Sequence, residues 1–269
     1  MTEEPATAES EPETPSTEAA QLNILVTGGS GTSGVAVARA LHQAGHRVFT
    51  VGSDQARIEA AAQEAGDGVT GLVCDLAALA EVRQLRTDVG ATGGDGKTTT
   101  INGVIHLVGG WRGAKGIADQ TDEDWDFLER GAITTLRNVS RVFYDDVAAS
   151  RRGRFAMVSS TAVDKPAAAT ANYVAAKAAA EAWTMAMADG FRRAADNNPG
   201  ADAGTGPAAV VLVVKALVDD AMRRSHPERS FPGATDVEDL ARAVVGLFEA
   251  PADQLNGTRL RLADQRARD

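Results

Sequence analysis

The chain has a single cysteine, Cys74, among 269 residues. One thiol cannot build an intrachain disulfide framework, which fits a reducing compartment, and a cytoplasmic location is expected. No apolar run is long enough to cross a bilayer, so no membrane association is expected. The N-terminus lacks a basic stretch followed by an apolar one, so no secretory signal is expected. The histidines, His42, His46, His106 and His226, show no ligand spacing with Cys74 or the carboxylates, and no metal site is expected. His106, between apolar strand residues, reads as a satisfied structural histidine. Repeats of solenoid length are also missing.

Positive charge is scarce, and the formal net charge is -10. Residues 1–20 contain six glutamates and no lysine or arginine. Setting those six aside from the 37 acidic residues leaves 31 against 27 basic ones, with no basic stripe to follow phosphates. Nucleic-acid binding is therefore not expected. The leader "MTEEPATAESEPETPSTEAA" has no large apolar residue except Met1, and residues 1–20 are expected to be a disordered, solubilising segment ahead of one domain, 21–269.

That domain alternates apolar runs with helix-periodic segments. "LNILVTGG", "RVFTVGS", "VTGLVCDL", "INGVIHLVGG", "GRFAMVSST" and "AAVVLVVKALV" read as strands, and "GTRLRLA" as a short last one. Helices are expected between them, including one long helix over "DEDWDFLERGAITTLRNVSRVFYDDVAAS" and another opening at the Tyr173–Lys177 run and reaching about Ala195. Such alternation predicts a single-domain, doubly wound parallel α/β sheet of Rossmann type. "GATGGDGKTTT" and "DNNPGADAGTGP" read as surface loops. The "GDGKT" within the first is not a phosphate-binding P-loop: the required earlier glycine falls on Ala91, and a strand follows in place of a helix.

"TGGSGTSG", Thr27 to Gly34, joins the first strand to the first helix, where such a fold binds a dinucleotide. Glycines let the backbone approach a pyrophosphate, and the helix N-terminus offers N–H donors. Further along, "YVAAK" sets Tyr173 and Lys177 one helical turn apart on one face. A free tyrosine is a poor base near neutrality, and a nearby ammonium favours its phenolate.

Taken together, these segments resemble the short-chain dehydrogenase/reductase (SDR) family over residues 21 to 263. Thr27, Gly28, Gly31 and Gly34 fit the T-G-x-x-G-x-x-G form of its extended and atypical branches, and "VIHLVGG" is similar to the extended branch's motif after strand four. "VSST" and "YVAAK" are similar to the commoner branch. The resemblance assigns Ser160, 13 residues before Tyr173, to orient a carbonyl, Tyr173 to act as acid/base, and Lys177 to lower its pKa and bind the nicotinamide ribose. Ser159 is the alternative serine. It also implies cofactor contacts from Thr32, Ser33, Ser53, Asp75, Leu76, Val108 and Gly109, Asp75 beside the adenine. A simple helix cap is the other reading of Asp75.

This sequence departs from the family in two places. Its helix-four asparagine is replaced by Gly131 or Ala132, with Asn138 the nearest asparagine, and Lys215-Ala216 stands where Pro-Gly often follows strand six. Strand two ends in Gly52 and Ser53, without the carboxylate that would bind the NAD ribose and repel a 2′-phosphate. That favours NADP(H), with NAD(H) the alternative, although no arginine sits adjacent to clamp the phosphate. Trp111 and Lys215 are candidate substrate-pocket residues. The expected function is interconversion of a small-molecule ketone or aldehyde with its alcohol, by a homodimer or homotetramer. A cofactor-binding regulator on the same fold, or an epimerase/dehydratase retaining its cofactor, are the alternatives.

Overall fold

The computed structural model describes residues 21–93, 97–196 and 204–262. The acidic leader and parts of both glycine-rich loops lie outside the described residues. The chain runs β1 (Asn23–Thr27), α1 (Thr32–Gln43), β2 (Arg47–Gly52), α2 (Gln55–Ala65), β3 (Thr70–Val73), α3 (Leu79–Ala91), β4 (Gly103–His106) and α4 (Asp122–Glu129). It continues through α5 (Thr135–Ala148), β5 (Arg154–Ser160), α6 (Ala171–Asp196), β6 (Ala208–Val214), β7 (Leu217–Val218) and α7 (Asp220–Ser225). Last come β8 (Thr235–Asp236), α8 (Val237–Leu247), α9 (Ala252–Leu255) and β9 (Thr258–Arg261).

Seven strands form one sheet in the order β3-β2-β1-β4-β5-β6-β9, every pair parallel, as the alternating pattern predicts. Strand order reverses between β1 and β4, which opens a crevice at their C-terminal ends. Successive strand residues face opposite sides, and the inner strands are buried on both faces, while the edge strands β3 and β9 are only partly covered. Ile24, Val26, Val210 and Leu212 pack with α1 and α8, while Leu25, Phe155, Val211 and Val213 pack with α3, α5 and α6. β7 and β8 form a separate two-stranded pair beyond β6.

The expected long fourth helix is not continuous. Residues Arg130–Thr134 form a π turn between α4 and α5. Its wider winding shows in the Thr135 N–H, which donates to the Arg130 carbonyl five residues back, while the Thr135 hydroxyl donates to the Gly131 carbonyl at 2.6 Å. Apolar periodicity continues on both sides of the turn, which is why the sequence reads as one helix.

Buried Arg154 secures the opposite end of the sheet. Its guanidinium donates to the carbonyls of Leu247, Gly153, Gly206 and Ala250 at 2.6 to 2.8 Å. Four acceptors satisfy a charge that would otherwise be costly to bury.

Candidate active site

The turn after β1 is shaped by close backbone packing. Gly28 has φ 78°, and a Cβ there would lie 2.9 Å from the Leu107 carbonyl carbon. At Gly34 a Cβ would come within 2.5 Å of the Gly28 oxygen, so α1 can start this close to β1 only with glycine. Gly31 is the N-cap of α1, without a side-chain cap and with no acidic residue in the first turn. The first N–H groups of α1 are thus left for an anion from outside the helix.

This turn borders a cavity of about 390 Å³. Gly28, Gly31, Ser53, Asp75, Leu76, Val108 and Gly109, all expected at the cofactor, line it. Ser30, also in the lining, has a buried hydroxyl with no hydrogen-bond partner among the described residues. A glycine cradle, an uncapped helix start and an orphaned hydroxyl fit a phosphate-bearing nucleotide.

Other expected cofactor residues lie elsewhere. Thr27 is fully buried, and its hydroxyl meets His106 Nδ1 at 2.8 Å, beneath the turn and away from the cavity. Thr32 lines a neighbouring groove between α1 and α2, and Ser33 lines the cavity beside Tyr173. Gly34 acts through backbone packing.

Asp75 Oδ1 accepts from the Ala77 N–H at 3.0 Å, and Oδ2 pairs with Arg130 at 2.5 Å. The Ala77 bond closes a local turn and is not a helix cap, since α3 starts from Ala78 without a side-chain cap, and the same carboxylate reaches the π turn. Asn138 donates to the Leu76 and Ala77 carbonyls at 3.1 and 3.0 Å, so this asparagine braces the cavity floor.

Sequence reasoning missed Arg57. It starts from the first turn of α2 and lines the cavity with Gly52 and Ser53. No arginine is adjacent to Ser53 in the sequence, and the first turn of α2 brings Arg57 back to the same wall.

A second cavity, of about 400 Å³, shares Leu107, Val108 and Gly109 with the first. Tyr173 and Lys177, both on α6, line it with Ser159, Trp111 and Lys215. Ser160, at the end of β5, is outside that lining, and its hydroxyl acts on the Tyr173 phenol from beside the cavity. Its oxygen also accepts from the Ala162 N–H at 3.1 Å. Ser159 is turned to Glu181, at 2.5 Å.

Burial pushes the Tyr173 phenol above its ordinary value, and the Ser160 bond pulls it part of the way back. The net direction is opposite to the lowering expected from Lys177. That lysine is only 8% exposed, donates to the Val158 carbonyl at 2.9 Å, and is brought down to about 8 by burial, with Glu181 acting in the other direction.

His106 is 2% exposed, and both ring nitrogens are engaged, Nδ1 by Thr27 and Nε2 by Thr135 at 3.2 Å. Burial and the Lys177 charge bring it to about 3, so it stays neutral. Because the Thr135 hydroxyl donates to Gly131, it accepts from Nε2–H, and Thr27 donates to Nδ1. The structural reading of this histidine fits that geometry.

Trp111 is 63% exposed at the cavity mouth, and Lys215 Nζ donates to the Pro232 carbonyl at 2.8 Å. Cys74 is buried, its thiol pushed up to about 12 by desolvation and then by Glu81, Asp75 and Asp88. It is an inert thiol. Among the described residues no cluster could hold a metal ion, and no helix is long and apolar enough to cross a membrane.

A doubly wound parallel sheet with a glycine turn at its switch point defines the Rossmann class of dinucleotide-binding folds. Within that class the chain belongs to the short-chain dehydrogenase/reductase family, whose model for short chain dehydrogenase matches residues 22–195. Nodulation protein G of Rhizobium meliloti (strain 1021) is 30% identical over 166 residues, 61% of this chain and 64% of that protein. The match thus spans less than two thirds of that relative. The NADPH-bound short chain oxidoreductase of Pseudomonas aeruginosa PAO1, containing an atypical catalytic center, has TM-score 0.75 at 19% identity, covering 93% of this chain and 99% of its own. A short-chain type dehydrogenase/reductase from Mycobacterium ulcerans has TM-score 0.75 at 20% identity, covering 89% and 87%. At these identities the likeness shows the fold.

Proposed function

We propose that the protein is an NADP(H)-preferring oxidoreductase that interconverts a ketone or aldehyde with its alcohol. The observation that carries this reading is the pair Tyr173 and Lys177 lining a cavity that adjoins the glycine-turn cavity, with Ser160 acting on the Tyr173 phenol. Gly28, Gly31 and the start of α1 would hold the pyrophosphate, with Ser53 and Arg57 near the adenosine ribose. A bound nicotinamide would supply or accept the hydride.

The chain's own residues manage the oxygen. Ser160 holds the carbonyl, and Tyr173 gives it a proton in reduction or takes one in oxidation. With its phenol raised by burial, Tyr173 is protonated at neutrality, which suits the donating role and hence reduction. Lys177 would direct its ammonium to the nicotinamide ribose. Trp111 and Lys215 would border the substrate.

Arg57 supports the NADP preference: a guanidinium beside Gly52 and Ser53 can take a 2′-phosphate, and Ser53 offers no competing carboxylate. Calorimetric titration of nucleotide-free protein with NADPH and with NADH tests the reading. Tight NADPH binding with weaker NADH binding is expected, and absence of binding by both would sink it.

We further propose a homodimer or homotetramer assembled through α4, α5 and α6. Trp125 is partly exposed on α4 and could take part in such a contact. A purely monomeric boundary in sedimentation velocity at micromolar concentration would refute this.

A further inference from the structure

Lys177 is an ammonium buried against a neutral partner, the Val158 carbonyl. Burying a charge is costly unless another charge or strong dipoles compensate it. The groups facing it do little to compensate. His106 on β4 is neutral, Tyr173 on α6 is a protonated phenol, the serines of β5 are uncharged, and Lys215 beyond β6 carries the same sign. The carboxylate nearest along the helix is Glu181, one turn beyond Lys177 on α6 and 7% exposed.

Glu181 is held from two sides. Ser159 donates to Oε1, and Arg259 Nε on β9 meets Oε2 at 2.8 Å. Arg259 also pairs with Asp164 at 2.7 Å, and Arg261 meets the same carboxylate at 2.8 Å. Asp164 closes the short turn Thr161–Asp164 directly after Ser160. A single guanidinium from the last strand therefore connects the segment bearing Ser160 to the helix bearing Tyr173 and Lys177.

We propose that Glu181, anchored by Arg259, is the positioning residue that keeps Lys177 charged at the cavity. The last strand, outside the family-model match, thereby contributes to the centre. This rests on the reading that the Lys177 ammonium binds the cofactor ribose. Glu181 acts on Lys177 through space, and Arg259 moderates it by neutralising part of the carboxylate. The two substitutions therefore have opposite signs. Removing the Glu181 charge makes Lys177 easier to deprotonate; removing Arg259 makes it harder. A clamp that only joined β9 to α6 would lower stability in both variants and move neither titration.

The test is NADPH affinity against pH, from pH about 6 to about 10, for the full chain and four variants. In the unsubstituted protein affinity should fall on the alkaline side as Lys177 loses its proton. Glu181→Gln should move that limb to lower pH by about half a unit or more, and Arg259→Met should move it to higher pH. Arg259→Lys, which keeps the charge, should restore the original limb even if the protein is less stable. It carries the test with Arg259→Met should Glu181→Gln fail to fold.

In Lys177→Met the limb should vanish. If it persists there, the cofactor role of Lys177 falls, and this proposal with it. A limb lost in Lys177→Met but unmoved in Glu181→Gln, or moved in the same direction by Glu181→Gln and Arg259→Met, overturns this proposal alone.

Discussion

Lys177 Nζ donates to the main-chain oxygen of Val158 at 2.9 Å, so the lysine itself ties α6 to β5. Val158 precedes Ser160 by two positions on that strand, and Tyr173 precedes Lys177 by one turn on that helix. The bond therefore helps set the position of Ser160 relative to Tyr173, and it does so with a charge that burial disfavours.

Stability should register that cost. Lys177 falls from an ordinary value of 10.5 to about 8 in the folded protein, so the unfolded chain binds more protons between those values. Stability accordingly rises with pH across that window, and the penalty is fully present below it. Lys177→Met is expected to stabilise the protein at pH 7 by on the order of 1–3 kcal/mol, with the gain shrinking as pH approaches 10.5. Urea unfolding at neutral and at alkaline pH measures this, and a neutral-pH loss of stability would contradict it.

Tyr173→Phe keeps the ring and removes the hydroxyl proposed to pass the proton. Turnover with a responsive ketone should drop on the order of 10²–10⁴-fold, while NADPH affinity changes little. Single-turnover oxidation of NADPH beside a binding titration separates the two quantities. Retained turnover would remove Tyr173 from the chemistry.

Arg57→Ala should weaken NADPH by about 10- to 100-fold, the loss of a charge-assisted contact, and leave NADH nearly unaffected. Equal weakening of both cofactors would mean that Arg57 shapes the cavity without reading the 2′-phosphate.

Two glycines give a matched pair. A Cβ at Gly34 meets the backbone at Gly28 and Gly29, at 2.5 and 2.6 Å, and backbone cannot swing aside. Gly34→Ala should cost about 1–3 kcal/mol or more and abolish nucleotide binding. At Gly246, inside α8, a Cβ meets nothing within 4 Å. Gly246→Ala should gain about 0.5–1 kcal/mol from helix propensity alone. Thermal melts of both variants decide whether packing at the turn, rather than glycine content in general, controls stability.

The sheet was legible because its inner strands β1, β2, β4, β5 and β6 are buried runs bounded by glycine or a polar turn, and the glycine turn because four glycines fall at one strand-to-helix junction. Less legible features have physical reasons. β7 and β8, each two residues long, are too short for any periodicity to register. The π turn at Arg130–Thr134 changes winding without changing hydrophobicity. Arg57 reaches the wall by helix geometry, not by adjacency to Ser53. Glu181 and Arg259 meet across 78 positions, a pairing that no local pattern encodes. Thr27 fits the glycine motif by position, yet its side chain serves His106, because a motif records residue order and not the direction a hydroxyl takes.

A π turn holds one residue more than the α-helix it interrupts, and each helical residue advances about 100°. The surplus residue between α4 and α5 thus works as a phase setting for everything upstream. A Cβ at Gly110 would lie 2.4 Å from the Phe127 ring, and the Arg112 guanidinium stacks over that ring at 3.7 Å from its centroid. Excising one residue from 130–134 would turn α4 as a unit, carry Phe127 off Gly110 and reshape the mouth where Trp111 stands. The shape of this cavity mouth is therefore written into the chain as a count, not only as the identity of the side chains that line it.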